Sequence, residues 1–169
     1  VNNAAVNPQP NLPSHSFESM TLEEWNQSLE VNLTGSMLAC QVLGRSMPRG
    51  SSIINIASIY GIVAPDPDLY PGGHTKPPAY GVGKAGLINF TRYLAVAWAK
   101  KQIRVNCLVL GGVESGQSRA FRTRYATRTP LKRMAKPEDF TGLLVHLASD
   151  ASSYSTGAEY TVDGGFTAW

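Results

Sequence analysis

Two hydrophobic periods divide the 169-residue chain. After a polar, proline-containing opening through Ser19, Thr21 and Glu24 form a capping box, and Trp25, Leu29, Leu33, Met37 and Leu38 recur at helical spacing. This predicts a helix from Thr21 that fades near Met47-Pro48. Gly50 and two serines then lead into Ile53-Ile54-Asn55-Ile56-Ala57, a short apolar run suited to a buried strand. Residues 59 to 77 hold Pro65, Pro67, Pro71 and Pro77 and read as a long loop. A second helix is predicted from about Pro78 to Lys101. Its segment Leu87, Ile88, Phe90, Leu94, Ala95, Val96 and Trp98 is apolar around most of its circumference, which predicts burial on more than one side. Ile103 to Leu110 gives another buried strand, closed by Gly111-Gly112. A basic, polar stretch to Arg133, an amphipathic helix from Pro137 to Ser149 and a last strand from Glu159 to Val162 complete the order. Helices and strands therefore alternate, which predicts an α/β fold with a parallel sheet covered by helices on both faces, in a single domain spanning 1–169.

Composition narrows the partners. Fifteen basic against twelve acidic residues leave a formal charge of +3, too small to imply nucleic acid. Cys40 and Cys107 have neither metal-ligand spacing nor the density of a disulfide scaffold, so reduced, buried thiols in a cytoplasmic protein are expected. No apolar run reaches membrane-spanning length, no signal-peptide pattern opens the chain, and no metal site is expected. The chain starts on Val1, and Val1-Asn-Asn-Ala-Ala5 reads as the end of a strand entering a turn, so a longer polypeptide is expected.

The candidate chemistry centres on Tyr80 and Lys84. Four residues apart on a helix, they lie on one face, where an ammonium would favour the phenolate and lower the tyrosine toward the working range of an acid–base group. Tyr-x-x-x-Lys is also a common pair on solvated helices, so the spacing alone leaves both readings open. In parallel α/β sheets ligands bind beyond the carboxyl ends of the strands. Ser58 follows one strand, Gly111 and Gly112 follow the next, and Tyr80 and Lys84 open the helix between them, so all face one crevice. The glycines would let the backbone approach a ligand closely. Asn32, with Gly35 just after it, places two poor helix formers mid-helix, where a local break could free a carbonyl to hold a water.

These residues resemble a known family. Asn2-Asn-Ala-Ala5, Val31-Asn-Leu-Thr-Gly35, Asn55-Ile-Ala-Ser58, Tyr80-Gly-Val-Gly-Lys84, Arg104-Val-Asn106 and Gly157…Val162-Asp-Gly-Gly165 together look like the carboxyl-terminal two-thirds of a classical short-chain dehydrogenase/reductase. The resemblance implies a three-layer Rossmann-type sheet whose first strands and glycine-rich loop lie outside this chain. It implies an NAD- or NADP-dependent oxidoreductase with Asn32, Ser58, Tyr80 and Lys84 as its catalytic set. In such a site Tyr80 exchanges a proton with the substrate oxygen, Ser58 orients that oxygen, Lys84 lowers the tyrosine and holds ribose hydroxyls, and Asn32 positions a relay water. Asn3, Ala4, Tyr80, Lys84, Gly111, Val113 and Ser115 would contact the cofactor, Val113 through its backbone. Leu110-Gly111 departs from the family's usual Pro-Gly. The resemblance also implies a homo-oligomer, a dimer or tetramer, joined through the apolar helix around Leu87 to Trp98 and through Phe166 to Trp169.

For the substrate, the long Ser58–Tyr80 interval adds Asp66, Asp68, Tyr70, His74 and Lys76 near the crevice mouth, which suits a polar, hydroxyl-rich, sugar-like molecule. Arg119, Arg122, Arg124, Arg128, Lys132 and Arg133 read either as a solvated face or as contacts to a substrate carboxylate or phosphate. Arg133 and Pro137-Glu-Asp139 resemble a structural turn of the family. The Asp66…Tyr70-Pro-Gly loop and Thr91-Arg-Tyr-Leu-Ala95 are similar to members associated with surface-sugar or flagellin modification. A non-catalytic binding or assembly subunit, or an inactive fragment, is the alternative.

Overall fold

The computed structural model describes residues 1–7, 17–70 and 76–169. His74, singled out above, lies outside them.

The capping box forms as predicted. Thr21 Oγ1 accepts from the Glu24 amide at 3.2 Å, and Glu24 Oε2 accepts from the Thr21 amide at 2.8 Å. Helix α1 (Leu22–Leu29) follows, but the single helix expected from the periodicity is divided. Glu30–Thr34 takes π-helical geometry, with the Gly35 amide reaching back five residues to the Glu30 carbonyl, before α2 (Gly35–Leu43) resumes. The wider turn rolls Asn32 inward until it is fully buried.

Three parallel strands, β1 (Ser52–Ser58), β2 (Arg104–Leu110) and β3 (Glu159–Val162), form a sheet in the order β1-β2-β3. Register runs from Ser52 opposite Arg104 to Ser58 opposite Leu110, and from Cys107 opposite Glu159 to Leu110 opposite Val162. Asn2 continues the sheet on the other edge of β1, donating to the Ile54 carbonyl at 2.9 Å and accepting from the Ile56 amide at 3.0 Å.

Alternation along the strands sorts the core into two layers. Ile53 and Val105 pack with Cys40 and with Leu94 and Ala95 of α3 (Pro78–Ala97). Ile54, Ile56 and Leu108 pack on the other face with Leu147 of α5 (Thr141–Ala148). The sheet thus lies between helices, as the alternating pattern predicts. Both cysteines are free and buried.

Two elements depart from the sequence reading. The basic stretch contains a helix, α4 (Arg119–Arg128), capped by Ser118. It lacks an apolar stripe and so gives no periodic signal; only Tyr125 is fully buried. Helix α3 is buried against the sheet, but Tyr93 and Val96 remain 66% and 80% exposed. Among the described residues no helix is long and apolar enough to cross a membrane.

Candidate active site

The site starts where β1 ends. Ser58 is extended at the strand terminus, and its hydroxyl accepts from the Tyr60 amide, turning the chain into a short 3-10 segment at Ile59–Gly61. That segment sits directly against the first turns of α3. A Cβ on Gly61 would stand 2.9 Å from backbone atoms of Lys84 and Ala85, and one on Gly81 would stand 2.8 Å from the Tyr60 carbonyl oxygen. These two glycines permit the backbone contact that brings Ser58 beside Tyr80.

Ser58, Tyr80 and Lys84 are all buried and all line one cleft of about 560 Å³. Its wall also includes Asn3, Gly111, Val113 and Ser115, so most of the predicted set comes together. Ala4 lies between the wall residues Asn3 and Ala5 without being part of the wall. Asn32 stands behind it: a Cβ on Gly83, between Tyr80 and Lys84 in α3, would meet Asn32 Cβ at 3.1 Å.

Lys84 donates to the Ile56 carbonyl at 2.9 Å, and its ammonium is 5.8 Å from the centre of the Tyr80 ring. The electrostatics differ from the expectation. Burial pushes the Tyr80 phenol above its ordinary range, and the Ser58 hydroxyl pulls it partly back. Burial also lowers the Lys84 ammonium. The dominant influence on both groups is desolvation, so Tyr80 rests in its proton-bearing form at neutral pH.

Asn32 also differs in detail. Its amide donates to the Ser28 carbonyl at 2.9 Å and to the Val6 carbonyl at 2.8 Å. The Ser28 carbonyl, one turn before Asn32, is thus bonded by the Asn32 side chain. Asn32 Oδ1, by contrast, is buried with no hydrogen-bond partner among the described residues. A buried acceptor in that condition is costly unless a water or ligand meets it.

The glycines after β2 line the cleft and also serve the packing around it. A Cβ on Gly112 would lie 2.7 Å from the Tyr125 ring, and one on Gly111 would lie 2.7 Å from Asp163 Cα. Their missing side chains make room for other parts of the protein. Tyr125 donates no packing signal in the sequence, yet its hydroxyl accepts from the Gly112 amide at 2.5 Å and its ring stacks on Phe166 at 5.0 Å. Phe166 is thus a core residue and is not available to a subunit interface. Gln117 was also invisible: it accepts from the Ser115 amide at 2.7 Å and donates to the Val113 carbonyl at 2.9 Å, bracing the wall at 113–115.

Most of the basic stretch is engaged by the protein itself. Arg122 pairs with Glu114, Arg128 with Asp66 at 2.9 Å, and Arg133 with Asp139 at 2.6 Å. Arg124 donates to the Leu69 carbonyl at 3.1 Å, and Lys132 stands over the Trp169 ring. These contacts tie α4 to the loop at 66–69 and make Arg133 the structural residue expected of its turn.

The residues present suit the nicotinamide end of a dinucleotide: a buried ammonium, a hydroxyl, and backbone at 111–115 share one open cleft, and behind it Asn32 Oδ1 has no partner among the described residues.

Comparison with known proteins agrees with this geometry. The sequence profile described as enoyl-(acyl carrier protein) reductase matches residues 1–167. The D-arabinitol 2-dehydrogenase (ribulose-forming) of Candida tropicalis is 36% identical over 94% of this chain and 57% of its own length. The cis-4-hydroxycyclohexanecarboxylate dehydrogenase of Sinomonas cyclohexanicum is 34% identical over 99% of this chain and 65% of its own length. A short-chain dehydrogenase of Leptospira borgpetersenii, solved with bound NAD+, superposes with a TM-score of 0.87 at 38% identity, covering 97% of this chain and 62% of that one. The chain belongs to the short-chain dehydrogenase/reductase family. It spans 57% to 65% of the length of these curated relatives.

Proposed function

We propose that this chain carries the catalytic part of an NAD- or NADP-dependent oxidoreductase acting on a polar alcohol or its carbonyl counterpart. The observation that carries this reading is the convergence of Ser58, Tyr80 and Lys84 at the end of β1, with buried Asn32 behind them. Lys84, Asn3, Gly111, Val113 and Ser115 would hold the nicotinamide end of the cofactor, and the ring would supply the hydride acceptor or donor. Tyr80 gives its proton to the carbonyl oxygen in reduction and takes it from the hydroxyl in oxidation. Ser58 hydrogen-bonds the same oxygen and fixes its distance from the phenol. The Lys84 ammonium stabilises the phenolate when it forms, which counters the burial that raises Tyr80. Asn32 Oδ1 holds a water that passes the proton between Lys84 and solvent.

The Candida and Sinomonas relatives are named for a polyol and a hydroxylated ring acid, which supports a polar substrate. The reading includes a homo-oligomer, because Val42, Leu43, Tyr93 and Val96 of α2 and α3 stay exposed. It also includes a cytoplasmic setting, consistent with two free buried thiols. Titration of the complete natural protein with NADH and NADPH, followed by nicotinamide fluorescence, tests the reading. Saturable binding and turnover of a polyol panel are expected; absence of binding would favour the non-catalytic alternative.

A further inference from the structure

Two phenols of the cleft wall, Tyr60 and Tyr70, take no part in the proton-transfer scheme. Tyr60 stands between the residues that do. Its amide donates to the Ser58 hydroxyl at 3.2 Å, and a Cβ on Gly81, the neighbour of Tyr80, would come within 2.8 Å of its carbonyl oxygen. Tyr70 closes the short 3-10 turn Pro67–Leu69, and its ring lies against Phe121 with ring centres 5.6 Å apart. Tyr70 belongs to the buried cluster beneath the cleft, and Tyr60 packs against that cluster. The backbone turn and the core thus hold both rings, and the two hydroxyls meet at 2.7 Å.

We propose that the Tyr60–Tyr70 hydroxyl pair recognises a second oxygen of the substrate, beyond the one that reacts, so that the site favours diols and hydroxy ketones over simple alcohols and ketones. This rests on the oxidoreductase reading and narrows its substrate class. Two phenols carry two O–H donors, and the bond between them uses one. Neither hydroxyl has another hydrogen-bond partner among the described residues, so one donor of the pair is left for a ligand. Burial pushes Tyr70 up to about 12 and Tyr60 further, so both protons are in place at neutral pH. Each phenol also feels the charge of Tyr80, which puts the pair near the reacting end of the cleft. A half-buried donor gains most from an oxygen that meets it there, and a substrate lacking that oxygen leaves it unpaired.

The test compares cyclohexanol with the cyclohexanediol isomers, which differ from it by an added hydroxyl. Each is titrated calorimetrically into the complete natural protein, free and saturated with whichever of NAD+ and NADP+ it binds more tightly. At least one diol isomer is expected to bind about five-fold or more tightly than cyclohexanol. Substituting both phenols together, Tyr60→Phe with Tyr70→Phe, removes the donors and keeps the ring packing, a change close to neutral for stability. That double variant should lose the diol preference and keep its cyclohexanol affinity, cofactor affinity and thermal midpoint. Equal affinities in the unsubstituted protein, absence of binding by every probe included, would overturn the proposal. So would an undiminished preference in the double variant, or a double variant that no longer folds, which would assign the pair to the fold alone. A diol preference in a protein that binds neither cofactor would uphold the pair and count against the redox reading.

Discussion

Tyr80 is held in an environment that favours its neutral form, and this has a kinetic sign. Because burial raises the phenol above its ordinary value of 10.0, the acid form that the proposed reduction would use is present throughout the neutral range. The base form needed for alcohol oxidation becomes more abundant as pH rises. The kcat/KM for oxidation is therefore predicted to climb between about pH 7 and 10, while that for reduction does not. Profiles measured in both directions check this, and an oxidation profile that is flat over the window contradicts it. At this scale the sequence was most informative where function depends on local spacing. Tyr80 and Lys84 are one helical turn apart, and Ser58 stands at a strand end, so both facts can be read without a fold. Tyr125 and Gln117 could not be found that way. Tyr125 acts on the Gly112 backbone, which the fold of α4 brings beside it, and Gln117 acts locally on Val113–Ser115 through a loop turn that carries no hydrophobic period.

Elements place these residues by close backbone approach. The contact of the Ile59–Gly61 segment with α3 depends on Gly61 and Gly81, where side chains would fall within 2.9 Å of backbone atoms. Gly81→Ala is predicted to cost about 1–3 kcal/mol of stability through overpacking and to lower kcat by shifting Ser58 relative to Tyr80. Gly142→Ala, at a helical position with nothing within 4 Å, is predicted to be neutral or stabilising by up to about 1 kcal/mol. Thermal unfolding of the two variants checks the contrast, and equal losses would contradict it. The π-helical turn at Glu30–Thr34 shows how far pattern reading reaches. Asn32 and Gly35 mark a break because both are poor helix formers. The inward roll of Asn32 depends on partners, the Val6 and Ser28 carbonyls, that periodicity does not specify. Helix α4 escaped for the opposite reason: its arginines face solvent, ion-pair partners and the Leu69 carbonyl, leaving no hydrophobic repeat to read.

At the scale of the whole molecule, the parallel sheet between helices followed from the alternation of helices and strands, and the cleft lies where such a sheet places it. Exposed apolar side chains on α2 and α3, Val42 and Leu43 beside Tyr93 and Val96, predict that the complete protein associates with itself. Light scattering at micromolar concentration should give a dimer or tetramer, and a monomeric mass would contradict this. The central claim is that Tyr80 performs the proton transfer of a nicotinamide-dependent reaction. Its most direct test is steady-state turnover of the complete protein carrying Tyr80→Phe, with cofactor affinity measured alongside. The prediction is a fall in kcat of about 10²–10⁴-fold with cofactor affinity and thermal midpoint retained. Turnover equal to that of the unsubstituted protein would contradict the assignment.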